Sequence, residues 1–125
     1  MRLLLIDDDP EITLVARLAL EKLGGHEVDC AASAEEALRA VRARAPDAIV
    51  IDVLLPDAAG PELLARLRRE PGLAAVPAVF LTGRADDPGV AELVHAGAAG
   101  VIGKPFDPLA LAAEVGRLVG DPAGP

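Results

Sequence analysis

The sequence is poor in aromatic residues and lysine, and its charge is strongly one-sided. Among its 125 residues the only aromatics are two Phe, and the only lysines are Lys22 and Lys104. The formal net charge of −8 argues against direct nucleic-acid binding, because neutralising phosphates requires clustered Lys and Arg. An anionic membrane surface would likewise offer this acidic chain no attraction. We therefore expect partners other than nucleic acid or membrane.

Long apolar runs and cysteine pairs are also missing. No stretch approaches the ~20 apolar residues of a membrane span, and no apolar signal-peptide core is evident near the N-terminus. Cys30 is the only cysteine and cannot form an internal disulfide, so we predict a small buried residue. We predict that His26 and His95 lie at the surface without a ligand role. These features favour a cytoplasmic protein.

Short apolar runs alternate with amphipathic stretches along the chain. The predicted strands are Leu3 to Ile6, Glu27 to Ala31, Ala48 to Ile51, Ala78 to Leu81 and Ala99 to Ile102. Each is followed by apolar residues at helical spacing: Ile12, Val15, Ala16, Ala19 and Leu23; Ala34, Ala37, Leu38 and Val41; Leu63, Leu64 and Leu67; Val90, Leu93, Val94 and Gly97; Leu111, Ala112, Val115 and Val119. Five βα units with continuously apolar strands predict an α/β fold, with one parallel sheet covered by helices on both faces.

Recurring dipeptides mark the predicted helix starts. Asp is a good N-cap and Pro fits the first helical position, so we expect three pairs to open helices: Asp9-Pro10, Asp87-Pro88 and Asp107-Pro108. Ser33 and Glu36 form a capping box before the second helix. A fourth pair, Asp121-Pro122, leads only into Ala-Gly-Pro. We therefore predict one domain over residues 1–120, and a tail or the start of a linker over 121–125.

Chemically distinctive residues follow the ends of the predicted strands. Asp7 and Asp8 follow the first strand, Asp52 follows the third, Thr82 the fourth and Lys104 the fifth. Because the carboxyl ends of parallel strands meet at one edge of a sheet, we expect these residues to lie together. Each residue alone also has an ordinary interpretation, as a solvated loop, a strand end or a structural hydroxyl. Their combination at one edge favours a functional site.

Three clustered carboxylates need more than one cation. At ~5 Å and an effective dielectric of ~20, each pair costs roughly 3 kcal/mol, which Lys104 alone does not offset. Oxygen ligands without adjacent Cys or His favour a hard divalent ion such as Mg²⁺. With that ion and the lysine in place, Asp52 could act as a nucleophile toward a phosphoryl group. Thr82 and Lys104 would then bind phosphoryl oxygens.

Four segments carry a family resemblance: LLIDDDP, AIVIDVLLPDAAG, PAVFLTGRA and AGAAGVIGKPF. In this order and spacing they resemble the receiver domain of bacterial two-component response regulators, over residues 1 to about 120. The resemblance implies a flavodoxin-like, doubly wound (βα)5 sheet with strand order 2-1-3-4-5. It also implies a phosphoacceptor signalling domain rather than an enzyme, although one that assists its own phosphotransfer and dephosphorylation.

The resemblance also implies roles for the residues at the predicted edge. Asp52 would be the phosphoacceptor and, with Asp8, a direct ligand of Mg²⁺, while Asp7 would bind the ion partly through water. The backbone carbonyl of Leu54 would complete the protein ligands.

Partners follow from the same resemblance. A histidine kinase or a histidine phosphotransfer protein would supply the phosphoryl group, which Thr82 and Lys104 would bind. The face formed by the fourth helix, fifth strand and fifth helix would pass the signal to a downstream output domain or protein, and a phosphorylation-dependent dimer is a further expected partner. Val101 stands where many receivers carry Tyr or Phe, so we expect the switch to depend on Thr82 and the segment after it.

Three other functions compete with this interpretation. A Mg²⁺-dependent phosphatase or phosphotransferase of the aspartyl-phosphate enzyme class would require a second acid two residues after the nucleophile, where this chain has Leu54. A flavin-binding domain would need a Ser/Thr/Gly-rich phosphate loop after the first strand, where this chain has three Asp. A phosphorylation-independent interaction module would be expected to lack Asp52, Thr82 or Lys104, and all three are present.

Overall fold

Strands and helices alternate through residues 1–83 and 90–120, the part of the chain that this computed structural model describes. The strands are β1 (Arg2–Ile6), β2 (Glu27–Ala31), β3 (Ala48–Asp52), β4 (Ala78–Thr82) and β5 (Gly100–Gly103). The helices are α1 (Pro10–Lys22), α2 (Ala34–Ala43), α3 (Gly60–Leu67), α4 (Val90–His95) and α5 (Pro108–Val119). The predicted five βα units are confirmed.

The strands form one parallel sheet in the order β2-β1-β3-β4-β5. Side chains of β1 alternate between two hydrophobic cores: Leu4 and Ile6 join the core beneath α2 and α3, whereas Leu3 and Leu5 join the core beneath α1 and α5. Both faces of the sheet are therefore covered. The predicted α/β fold class, its doubly wound arrangement and its strand order 2-1-3-4-5 are confirmed.

The predicted inner faces of α2 and α3 are confirmed, since every residue assigned to them is buried: Ala34, Ala37, Leu38 and Val41; Leu63, Leu64 and Leu67. The prediction for α1 is partly wrong, because Val15 and Leu23 are 41% and 56% exposed. Its buried residues are instead Ala16, Ala19 and Leu20. The small side chains of Ala16 and Ala19 make this buried stripe narrow, so the flanking apolar residues of α1 remain in solvent.

Two predictions of burial are wrong. Cys30 is exposed, not buried, because it lies on the edge strand β2 and lines a cavity beside α1, together with Thr13 and Arg17. His26 was expected at the surface, yet it is only 7% exposed. Its Nδ1 lies 3.3 Å from the N-terminal amine of Met1. Gly24 permits this packing, since a Cβ there would lie 2.7 Å from His26 Cδ2. The side chain of His95 lies outside the described residues.

The predicted helix caps are confirmed where the structure describes them. The carboxylate of Asp9 accepts the backbone N–H of Glu11 at 2.9 Å, and that of Asp107 accepts the N–H of Leu109 at 2.9 Å. The prediction for Asp87-Pro88 and the one for residues 121–125 lie outside the described residues. Within the described ranges, none of the helices is long and apolar enough to cross a membrane.

Candidate functional site

The carboxyl ends of β1 and β3 bring three acidic side chains together. Asp7 and Asp8 directly follow β1, and Asp52 is the last residue of β3. Each of the three offers a carboxylate oxygen, and these oxygens lie within 4.8 Å of one another. Asp7 is 2% exposed, whereas Asp52 is half-buried and Asp8 is exposed. The cluster therefore opens to solvent on the side of Asp8.

Lys104 points into this cluster from the loop after β5. Its Nζ donates to Asp7 Oδ2 at 2.7 Å and lies 3.4 Å from Asp52 Oδ2. The second oxygen of Asp7 accepts the backbone N–H of Asp9 at 2.9 Å. Asp7 is thus held on both oxygens, and Lys104 bridges the first and third strands of the sheet.

The electrostatic environment leaves Asp52 poorly neutralised. Burial, followed by the negative charge of Asp7, raises the pKa of the Asp52 carboxyl, and Lys104 with the backbone N–H of Leu54 offsets only part of this effect. Burial alone would lower the pKa of the Lys104 ammonium. Its hydrogen bond and ion pair with Asp7, joined by Asp52, raise that pKa above its ordinary value. The lysine is therefore a permanent cation near neutral pH, and among the residues that the structure describes the cluster still carries excess negative charge.

The donor set fits Mg²⁺. Three carboxylates supply hard oxygen ligands, and the exposed position of Asp8 leaves room for the waters that this ion retains. Lys104 offsets one of the three negative charges, so a divalent ion would nearly balance the rest. The backbone N–H of Leu54 lies 3.4 Å from Asp52 Oδ1, which places the start of the β3–α3 loop beside the cluster. The Leu54 side chain itself is 74% exposed.

Thr82 lies at the same edge, as the last residue of β4. Its carbonyl accepts the backbone N–H of Lys104 at 2.7 Å, so the end of β4 and the loop after β5 are joined directly. Its side chain is partly exposed. The six residues predicted for the site therefore share the carboxyl edge of the sheet. Contacts in the structure connect Asp7, Asp52 and Lys104 through their side chains, and Leu54 and Thr82 through their backbones.

One residue near the site was missed by the sequence analysis. Asp57, in the β3–α3 loop, accepts the backbone N–H of Ala34 at 2.8 Å and that of Glu35 at 3.2 Å. It therefore caps α2 together with Ser33, whose hydroxyl accepts the N–H of Glu36 at 3.2 Å. A cap normally immediately precedes its own helix, so the position of Asp57 in the sequence carries no signal for this contact.

A five-stranded parallel sheet with an acidic cluster and a lysine at its carboxyl edge is the arrangement that the family resemblance implied. Residues 3–116 match the family model of the response regulator receiver domain, and the chain belongs to this family. It is a receiver domain of two-component response regulators, and the resemblance read from its sequence is confirmed.

Individual relatives agree with this assignment. The chain is 34% identical to Protein Rrf1 of Nitratidesulfovibrio vulgaris over 94% of its own length and 82% of that protein. It is 40% identical to the transcriptional regulatory protein AfsQ1 of Streptomyces coelicolor, covering 90% of this chain and 48% of that protein. The structure of the chemotaxis response regulator CheY4 of Vibrio cholerae matches with a TM-score of 0.87 at 29% identity, over 94% of this chain and 97% of that one. The chain thus spans about half the length of AfsQ1 and of several other curated relatives.

Proposed function

We propose that Asp52 accepts a phosphoryl group while Mg²⁺ is bound by Asp7, Asp8, Asp52 and the backbone carbonyl of Leu54. The observation that carries this proposal is the acidic cluster, whose carboxylate oxygens lie within 4.8 Å of one another around the end of β3. Asp52 is the member whose carboxylate is both accessible and contacted by Lys104 at 3.4 Å.

In the proposed transfer, a carboxylate oxygen of Asp52 bonds to the phosphorus of a donor phosphohistidine. The phosphorus–nitrogen bond breaks, and the imidazole leaves with its electron pair. The raised pKa of Asp52 makes its oxygen more nucleophilic than that of an ordinary aspartate once ionised. Bound Mg²⁺ would supply charge neutralisation for the phosphoryl oxygens.

Two further residues of the edge would bind the transferred group. Lys104 would keep its 2.7 Å contact with Asp7 and direct its remaining N–H groups at a phosphoryl oxygen, so that Asp7 acts as its anchor. The hydroxyl of Thr82 would donate to another phosphoryl oxygen. The backbone N–H of Lys104 donates to the Thr82 carbonyl at 2.7 Å, so a movement of one residue would shift the other.

The partners proposed are those of the receiver family. A histidine kinase or a histidine phosphotransfer protein would donate the phosphoryl group, and the domain would assist both this transfer and its own dephosphorylation. The face of α4, β5 and α5 would pass the signal to an output domain or protein, or to a second phosphorylated copy. Several relatives are named transcriptional regulatory proteins, which supports an output of that kind. The proposal places the receiver in residues 1–120 and the protein in the cytoplasm.

Phosphorylation at Asp52 is testable with a small phosphodonor. Incubation with Mg²⁺ and acetyl phosphate should add one labile phosphoryl group, detected by intact-mass spectrometry. The Asp52→Asn variant should lose the adduct, because an amide is not a nucleophile at this site. As a control, Asp29→Asn changes an aspartate on β2 and should leave the labelling unchanged. Labelling that persists in Asp52→Asn, or an adduct stable enough to be on Ser or Thr, would remove Asp52 from its proposed role.

A further inference from the structure

The β3–α3 loop is a tightly closed segment with two faces. Its ends are joined by the bridge between Leu54 and Ala59 and by the bond from the Leu55 N–H to the Ala58 carbonyl at 3.1 Å. Leu55 and Ala58 pack against the core beneath α2 and α3, whereas Leu54 and Asp57 face outward. Apolar packing therefore holds only the inward face of the loop.

Asp57 connects that outward face to α2. Both of its carboxylate oxygens are used, one by the N–H of Ala34 at 2.8 Å and one by the N–H of Glu35 at 3.2 Å. The N–H groups of a first helical turn have no partner within their helix, and they attract a negative group. The bond from the Ala34 N–H, helped by that from Glu35, lowers the pKa of the Asp57 carboxyl. Asp57 is therefore charged at neutral pH.

Behind the loop, the chain has little space to shift. The N–H of Gly60 donates to the Val53 carbonyl at 2.6 Å, and a Cβ at Gly60 would lie 2.5 Å from the carbonyl oxygen of Asp52. The start of α3 is thus pressed against the backbone of the proposed phosphoacceptor. Leu54 lies between Asp52 and the tip of this closed loop, and it is paired with Ala59 across it.

We infer that Asp57 is a positioning residue for the metal site: by fixing the β3–α3 loop to the first turn of α2, it holds the Leu54 carbonyl where Mg²⁺ would be bound. This inference rests on the proposed function, since it concerns the same ion. Asp57 itself touches neither the ion nor the phosphoryl group. It would act on the Leu54 carbonyl only through the loop that joins them, so we expect its removal to weaken Mg²⁺ by about tenfold, the lower end of the range for groups that orient metal ligands.

Ser33 offers a matched control. It caps the same turn of α2 through the N–H of Glu36 at 3.2 Å, but it belongs to the segment before α2 and not to the β3–α3 loop. Loss of either cap should weaken α2 to a similar extent. Only loss of Asp57 should release the loop.

The test is a Mg²⁺ titration of the ¹⁵N-labelled chain followed by amide chemical shifts, which reports binding without phosphorylation. Asp57→Ala should weaken Mg²⁺ by about tenfold, whereas Ser33→Ala should stay within about twofold of the parent because its site is independent of the loop. Asp57→Asn retains one acceptor and should fall between them. If Asp57→Ala fails to fold, the Mg²⁺ affinity of Asp57→Asn tests the positioning role instead.

Two outcomes would overturn the inference. One is an equal change in Asp57→Ala and Ser33→Ala, which would make Asp57 a helix cap and nothing more. The other is an unchanged Mg²⁺ affinity in both Asp57 variants. Asp8→Ala, measured in parallel, separates this failure from that of the proposed function. If Asp8→Ala binds Mg²⁺ as well as the parent, the metal site itself is wrong, whereas its loss of binding beside normal Asp57 variants rejects only the positioning role.

Discussion

The two edges of the sheet handle charge in opposite ways. At the amino edge, Arg2 lies 3.0 Å from Glu27, Arg44 lies 3.7 Å from the same carboxylate, and Asp47 accepts the backbone N–H of Arg2 at 2.8 Å. At the carboxyl edge, the described residues place three carboxylates around one bridging lysine. The first edge is neutralised within the chain, while the described part of the second keeps a negative excess.

Cavity size alone would point to the wrong edge. A cavity of about 450 Å³ lies at the amino edge against Met1, Arg2 and Glu27, whereas the cavity beside Asp7 and Asp8 is about 350 Å³. The smaller one adjoins the acidic cluster. The difference teaches that unbalanced charge is a better guide to the proposed ligand site than cavity volume.

The largest expected effect is the gain in folding stability when Mg²⁺ binds at the carboxyl edge. Saturating Mg²⁺, at ~100 times its Kd, should stabilise the folded chain by about 2.7 kcal/mol, because the ion binds only the folded state. Asp8→Ala should lose this gain, measured as the shift of the thermal unfolding midpoint with and without Mg²⁺. Glu27→Gln, at the amino edge, serves as the control and should retain it. An undiminished Mg²⁺ shift in Asp8→Ala would contradict the assignment of the two edges.

A second effect should appear at Asp52 without any metal. Because its pKa is raised above the ordinary 3.8, ionised Asp52 destabilises the folded state. This cost is absent well below pH 3.8, grows as pH rises toward the raised pKa, and is complete above it. Asp52→Asn avoids the cost, and Lys104 keeps its partner Asp7. Urea unfolding in EDTA should therefore show Asp52→Asn more stable than the parent at pH 7, with the advantage shrinking toward pH 4. An advantage that is constant across this range would show that charge is not its cause.

The smallest effect is expected at the amino edge. Glu27 is exposed and pairs with Arg2 and Arg44 in solvent, where such pairs typically contribute ~0.2–1 kcal/mol. Glu27→Gln should therefore lower the free energy of unfolding by less than about 1 kcal/mol at low salt and by nearly nothing at 0.5 M salt. Urea unfolding at the two salt concentrations provides the measurement. A larger, salt-independent loss would mean that Glu27 stabilises the fold by more than an exposed ion pair can.

Much of the fold could be predicted because β1, β3 and β4 are buried over almost their whole length and read as continuous apolar runs. The inner faces of α2 and α3 could be predicted because their buried residues are the apolar ones that recur at helical spacing. The site residues could be placed at one edge because each follows a strand, and parallel strands end together. The contact between Lys104 and Asp7, at 2.7 Å, confirms the expectation that the lysine points at carboxylates.

The errors arise where burial depends on neighbours far along the chain. Cys30 is exposed because β2 is an edge strand, and strand order cannot be read from the composition of one strand. Val15 and Leu23 are exposed because α1 buries only a narrow stripe. Asp57 was missed because its partner amides are 22 and 23 residues away, so no local pattern links the two segments.

The bridge between Lys104 and Asp7 has a consequence for biosynthesis. Its two residues are 97 positions apart, so the site contains residues from both the first and the last βα unit. Chains are synthesised from the N-terminus at about 5–20 residues per second, and the acidic residues therefore emerge several seconds before their lysine. During that interval β5 has not yet joined the sheet, and Asp7 and Asp52 lie without their cation. A nascent receiver thus lacks the complete proposed phosphorylation site until β5 docks, which ties its proposed competence to accept a signal to completion of the fold.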